Sequence, residues 1–351
     1  MPAPDAVLLS VGTANPPDRY TQRDLLDRFA VVDEKTAAVF TNSHIDHRNL
    51  YAPAGEPSAE SQQELLDKHL QGALDMGGRA VTECLRAAGL GPADVDYLCC
   101  VTTTGFLCPG VSAHLIRELG LREDVSRADI VGMGCNAGLN ALNPVTAWAA
   151  ANPGRYAVLL CVEVCSAAYV WDGSMRTAVV NALFGDGAAA VLVGTRAPGA
   201  LRDRPLPHVL GFSSQVLTDD LGAMRFDWDA AQSKYSFYLD PLIPYVIGAN
   251  AAKPVLRLLD ARGLGMADID HWVVHSGGKK VIDGIKYNLD LTDHDLRHTR
   301  SVLRDHGNLS SGSFLFSYRR LLAEGTAKTG DYGVMMTMGP GTTIETALVR
   351  W

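Results

Sequence analysis

The chain has 351 residues, 47% of them hydrophobic and 20% charged, with a formal charge of -8. That composition predicts a folded protein with a large core, rules out disorder, and argues against extended phosphate-backbone binding. Seven cysteines at positions 84, 99, 100, 108, 135, 161 and 165 form neither an even set nor a repeated CxxC, so no disulfide framework or zinc site is indicated.

Met1 to Gly12 lacks a basic leader, and no apolar run reaches membrane-span length, so a reduced, cytoplasmic chain is expected. Val7 to Pro16 reads as a strand running into a Pro-rich turn, and Gln22 to Phe40 as a helix with Leu25, Leu26, Phe29 and Val32 on one side. Ala52 to Ser61, with Pro53, Gly55 and Pro57, reads as a surface loop, followed by one or two amphipathic helices over Gln62 to Ala88. A strand at Tyr97 to Thr102, a loop at Gly105 to Gly110 and a helix at Val111 to Leu119 come next.

The stretch from Ala128 to Glu163 carries the most information. Ile130 and Val131 close an apolar run, Gly132 to Gly138 is a Gly-rich turn around Cys135, Leu139 to Ala151 is an Ala-rich helix, and Tyr156 to Val162 is a buried strand. A thiol at such a turn faces the free N–H groups of a helix start, which favours thiolate. A buried structural cysteine is the plain alternative. Gly132-x-Gly134-x-x-Ala137, with Glu163 some 26 residues beyond Ala137, also fits a dinucleotide fingerprint, which keeps an NAD-dependent oxidoreductase as a remote alternative. Pro144 falls inside the helix after Cys135 and predicts a kink beyond its second turn. Val180 to Thr195 contains Phe184-Gly185-Asp186-Gly187 and a strand, and Arg196 to His208 reads as a linker.

The second half repeats the first. Gly89-Leu90-Gly91-Pro92-Ala93-Asp94-Val95-Asp96 recurs from Gly263 to Asp270 with six of eight residues identical, and Gly154 to Val158 is echoed from Gly330 to Val334. The offsets are 174 (263 minus 89) and 176 (330 minus 154). Duplicated alternating units predict a layered α/β fold from two related halves, 1–200 with the nucleophilic cysteine and 201–351 with its partners. At an offset of 173, Cys135 falls opposite Asn308, and the strand before Asn308 ends at Val274-His275. Cys135, His275 and Asn308, each beside glycines, then form a candidate thiol–imidazole–amide constellation.

With these residues in place, the sequence resembles the type III polyketide synthases, the chalcone synthase-like branch of the thiolase superfamily. Gly12 to Pro17, Phe184 to Ala189, Gly307 to Ser311 and Gly339-Pro340-Gly341 carry the likeness. The segments Gly132 to Asn143, Met175 to Asn181 and His275 to Asp283 are similar, more narrowly, to bacterial synthases of 3,5-dihydroxyphenylacetyl-CoA, which serve antibiotic biosynthesis. The resemblance implies a thiolase-like αβαβα fold and a homodimer.

It implies an acyltransferase that joins four malonyl-CoA, used as starter and extender, by decarboxylative Claisen condensation. No cofactor beyond CoA thioesters and no metal is implied, and crotonase-type helpers act on the product. Cys135 would carry the acyl chain, activated by a His275 imidazolium, while His275 and Asn308 bind the extender carbonyl. Phe184 and Phe237 would flank the pocket, with Thr103, Cys165, Ala168 and Ser310 shaping it, and Cys108 would reach the partner subunit. Arg48, Gly277 and Gly278 would hold CoA, with Lys279 and Lys280 as further phosphate contacts or merely solvated. A dihydroxybenzoate or 1,3,6,8-tetrahydroxynaphthalene product is the alternative within the family.

Overall fold

The computed structural model describes residues 5–52, 59–201 and 205–351. The first half contains β1 (Val7–Ala14), β2 (Arg19–Thr21), α1 (Gln22–Arg28), α2 (Glu34–Thr41), β3 (His47–Asn49), α3 (Gln62–Ala88), β4 (Val95–Thr102), α4 (Val111–Leu119), β5 (Ser126–Val131), α5 (Ala137–Ala151), β6 (Tyr156–Glu163), α6 (Met175–Leu183) and β7 (Gly187–Gly194). The second contains β8 (His208–Val216), β9 (Met224–Asp229), β10 (Lys234–Leu239), α7 (Ile243–Asn250), α8 (Ala252–Asp260), β11 (His271–Val274), α9 (Lys279–Asn288), α10 (Arg297–His306), α11 (Ser313–Glu324), β12 (Tyr332–Gly339) and β13 (Thr343–Arg350).

Strand order is β11-β12-β13-β8-β1-β7-β6-β4-β5, but β1 and β8 pair only at Val7 and His208. Two sheets therefore meet at a single point and can fold over a shared helical layer. Residues alternate accordingly. Cys99, Val101, Leu159, Cys161 and Val191 face α5 and α11 together with Val273, Met335 and Ala347 of the second sheet. Their neighbours Leu98, Cys100, Val158, Leu160 and Leu192 face α3 and α4. On the far side, Val334, Met336 and Leu348 pack with α8 and α9. The result is the five-layer αβαβα arrangement expected of the thiolase-like fold, and both faces of β6 and β12 are covered, which explains their unbroken apolar runs.

The duplication is visible in the elements. The short 3-10 turns Gly134–Asn136 and Ser310–Gly312, the helices α5 and α11, and the strands β6 and β12 all begin 176 residues apart. In that register the counterpart of Cys135 is Ser311, so the expected pairing with Asn308 is three residues out. Asn308 belongs instead to the approach to the turn, where it forms a bridge with Phe184.

Other expectations shift in detail. The Gln22 to Phe40 helix is two helices, because Asp33 accepts the Thr36 N–H at 2.8 Å and starts a new one after Ala30 adopts φ 49°. Gln62 to Ala88 is one helix, capped by a Ser61–Glu64 box and ended by Gly89 at φ 70°. Pro144 sits inside α5 on its exposed side, where water can serve the carbonyl that loses its donor. Helix α6, capped by Ser174, has no counterpart among the predicted elements. Residues 53–58 of the predicted surface loop and 202–204 of the predicted linker lie outside the described residues.

Candidate active site

Cys135 stands where β5 ends and α5 has yet to begin. Gly132 and Gly134 take φ 84° and 72°, which lets the chain turn back within three residues, and the Gly134 N–H donates to Thr103 Oγ1 at 2.9 Å. Gly339 backs closely on the Cys135 amide, where a methyl would lie 2.9 Å from that nitrogen. The thiol is buried, with Sγ 3.6 Å from Ser310 Oγ.

His275 follows β11 directly and is tied to β12 by its N–H to Met336 O at 2.9 Å. Its Nδ1 pairs with Ser313 Oγ at the first residue of α11. Asn308 is fixed by backbone bonds to Leu183 and Gly185, and its Oδ1 accepts the Ser310 N–H at 2.8 Å. That bond assigns the amide's orientation and leaves Nδ2 as the group able to donate elsewhere.

The three side chains line one cavity of about 610 Å³, together with Phe184, Phe237, Gly277 and Gly278. Lys35, Lys279 and Lys280 lie on its wall, the first and last of them exposed. Behind Cys135 a second chamber of about 40 Å³ is lined by Thr103, Thr104, Cys165, Ala168, Phe184, Phe237 and Ser310. Phe184 and Phe237 meet edge to face at 5.8 Å and border both spaces.

The expected imidazolium beside the thiol is not what this arrangement holds. Burial pushes the Cys135 thiol up to about 12, against which hydrogen bonds from Ser310 and Asn308 pull only partly back, and the Glu163 carboxylate raises it further. Burial also brings His275 down to about 3. The resting pair is therefore neutral thiol and neutral imidazole, because His275 faces a serine hydroxyl rather than a carboxylate that would hold its proton.

Glu163 is the hub behind the chamber. It is fully buried and accepts from Thr103 N (2.9 Å), Thr104 N (3.2 Å), Thr102 Oγ1 (3.4 Å), Ser310 Oγ (3.2 Å) and Ser311 Oγ (2.6 Å). An acid so enclosed cannot reach a ribose hydroxyl, and Gly134 is packed under Pro340 rather than open to a pyrophosphate. The dinucleotide reading is thereby corrected.

Arg48 is also corrected. It is fully buried, and its guanidinium donates to Tyr169 Oη (2.9 Å), Asn181 O (2.7 Å), Phe184 O and Gln22 Oε1 (2.8 Å), so it braces α1 and α6 and cannot meet a CoA phosphate. Cys108 is exposed, whereas the other six cysteines are buried. Sequence reasoning missed Lys35, Ser313, Thr104 and the role of Glu163. Only Glu163, an acid closing an otherwise apolar strand, left a signal that could have been read.

The family model described as chalcone and stilbene synthases matches in two parts, its N-terminal domain over residues 35–197 and its C-terminal domain over 222–351. A 3,5-dihydroxyphenylacetyl-CoA synthase of Amycolatopsis balhimycina is 58% identical over 348 residues, covering 97% of this chain and 92% of that protein. One of Streptomyces toyocaensis is 56% identical over 349 residues, covering 98% and 90%. Among solved structures, the C-terminal type III polyketide synthase domain of Steely1, a type I/III hybrid from Dictyostelium, superposes with a TM-score of 0.89 at 26% identity, covering 99% of each chain.

Proposed function

The chain belongs to the chalcone and stilbene synthase family of type III polyketide synthases, and from that premise we propose that it joins four malonyl units, with malonyl-CoA as starter and extender, and closes them to 3,5-dihydroxyphenylacetyl-CoA. The observation that carries this reading is the convergence of Cys135, His275 and Asn308 on one cavity with a small chamber behind the thiol.

The chemistry follows from the neutral resting pair. With its Nδ1–H given to Ser313, His275 has Nε2 free to take the Cys135 proton as sulfur attacks the malonyl thioester, and that proton then leaves with the CoA thiol. A second malonyl-CoA next presents its thioester carbonyl to Asn308 Nδ2 and to His275 in its other neutral tautomer, in which Nδ1 accepts from the Ser313 hydroxyl and Nε2–H donates. When CO2 departs, the electron pair of the broken C–C bond becomes an enolate, and these donors stabilise its oxygen, each by roughly 2.7 to 4 kcal/mol. The enolate carbon attacks the acyl group on Cys135, and sulfur leaves as thiolate.

In this reading, residues 1–200 bring the nucleophile and 201–351 the carbonyl donors. Thr103, Cys165, Ala168 and Ser310 shape the growing chain, and Phe184 and Phe237 sit at the passage. Gly277 and Gly278 admit the pantetheine arm, while Lys35, Lys279 and Lys280 replace Arg48 as the cations offered to CoA phosphates. The chamber behind the thiol is small, about 40 Å³, and a tetraketide demands less room there than a pentaketide.

The edge strand β5, with exposed Val131 and the nearby Phe106 and Cys108, supports a homodimer interface. Crotonase-type enzymes acting on the product, and a cytoplasmic location, complete the proposal. Among the described residues no helix is long and apolar enough to cross a membrane.

Incubation with isotope-labelled malonyl-CoA and no other starter is expected to release a product labelled from four units. A pentaketide naphthalene, or no product without a different starter, would refute the assignment of substrate and chain length.

A further inference from the structure

His69 lies on α3, fully buried, and the reaction as derived so far makes no use of it. Its Nδ1 is 3.2 Å from Thr104 Oγ1, while its Nε2 is buried without a hydrogen-bond partner among the described residues. The ring fills the space beside Gly105 so closely that a methyl there would overlap it, so His69 requires glycine at position 105. Packing alone does not account for this choice. An aliphatic side chain would fill the same volume without burying an unpaired ring nitrogen, which costs roughly 1 to 3 kcal/mol.

What His69 touches is a wall of the inner chamber. The Thr104 hydroxyl accepts the Val164 N–H at 2.9 Å, one residue before Cys165, and the Thr104 N–H donates to Glu163 at 3.2 Å. Glu163 in turn accepts from Ser310 Oγ, which lies 3.6 Å from the Cys135 sulfur. A continuous path thus runs His69–Thr104–Glu163–Ser310–Cys135, with its far end on α3, outside both cavities.

We infer that His69 is a positioning residue that sets how a chain loaded on Cys135 divides between ring closure and release as an open chain, by holding Thr104 and, through Glu163, the Ser310 hydroxyl. The inference rests on the condensing-enzyme reading above. Thr104 and Ser310 line the space where the chain's carbonyl oxygens must lie, and the direction of each hydroxyl decides which carbonyl is held. Loading occurs from the outer cavity, which His69 does not border. Burial brings the imidazole down to about 4, so it acts as a neutral, fixed hydrogen-bonding group rather than as a proton donor.

The test compares His69→Leu, which keeps volume, with His69→Asn, whose amide reaches the place of Nδ1. Acylation of Cys135 by malonyl-CoA is read by intact-protein mass, and the ratio of ring-closed to open-chain product by mass spectrometry. His69→Leu is expected to load within about threefold of wild type and to lower the ratio about tenfold, the loss of one buried hydrogen bond. His69→Asn is expected to restore most of the ratio.

An unchanged ratio in His69→Leu, equal defects in both variants, or loading that falls in step with ring closure would overturn the inference. Should His69→Leu fail to fold, Thr104→Val is read in its place: the same shift in ratio supports the inference and an unchanged ratio overturns it. A wild-type protein that malonyl-CoA does not acylate would instead overturn the condensing reading, and this inference with it.

Discussion

At the scale of single residues, the neutral state of Cys135 and His275 makes a specific demand on pH behaviour. A thiol held at about 12 exposes only a trace of thiolate at neutrality, so alkylation of Cys135 in the free enzyme should rise about tenfold per pH unit from pH 6 to 10. A plateau near neutrality would reveal an ion pair and sink this account of the resting site. Cys135→Ala should fold normally and gain no acyl mass from malonyl-CoA, since a small buried methyl replaces the thiol; acyl label on Cys165, the other thiol lining the inner chamber, would move the nucleophile there. Asn308→Ala should still load, because the amide faces charge that appears only when CO2 leaves, while condensation falls about 10² to 10³-fold. Equal losses in loading and condensation, measured in separate half-reactions, would remove that distinction.

At the scale of elements, the contact between α5 and the 3-10 turn Ser310–Gly312 decides where the thiol sits. Gly138, the second residue of α5, lies against the Ser311 carbonyl, where a methyl would overlap the oxygen and lie 2.8 Å from Cys161 Sγ. Helix propensity alone would credit Gly138→Ala with about 1 kcal/mol. The backbone oxygen cannot move aside without shifting Ser310, so overpacking outweighs it, and a net loss of about 1 to 2 kcal/mol is expected. Urea titration checks the sign: a variant more stable than wild type would show that the two turns can slide apart. The sequence pattern could mark Gly138 as part of a Gly-rich turn, yet the neighbour that makes glycine necessary comes from the other half of the chain.

At the scale of the whole molecule, buried titratable groups tie stability to pH. His69, His275 and His306 are brought down to about 4, 3 and 4 by burial. A histidine with a depressed folded pKa keeps its contribution above its unfolded value of about 6.5 and loses it as pH falls toward 4. Asp186, raised to about 6, and Glu163, also raised, work in the opposite sense, since the folded state takes their protons more readily than the unfolded chain. His47 and His298 are lowered as well and Glu345 is raised, each chiefly by burial, so five histidines against three carboxyls leave a net uptake of protons on unfolding near pH 5. Stability should therefore fall as pH drops from 6 to 5. Urea midpoints that stay level or rise between pH 6 and pH 5 would contradict this balance.

Local order along the chain was sufficient for much of this protein. The strand–turn–helix around Cys135, the repeat near 176 residues and the amphipathic face of α3 follow from spacing, glycine placement and apolar periodicity, while the candidates Cys135, His275 and Asn308 are marked by their neighbouring glycines and by the family resemblance. Tertiary structure decided the rest, because it depends on what the other half places opposite. Asn308 sits three residues from its expected register, since the repeat is kept by whole elements rather than by the loop before the turn. Arg48 became a buried brace because the carbonyls of Asn181 and Phe184 and the hydroxyl of Tyr169 converge on it, and no sequence pattern announces that enclosure. The charge state of the thiol and imidazole was likewise beyond reach, since desolvation depends on five packed layers and not on the residues beside them.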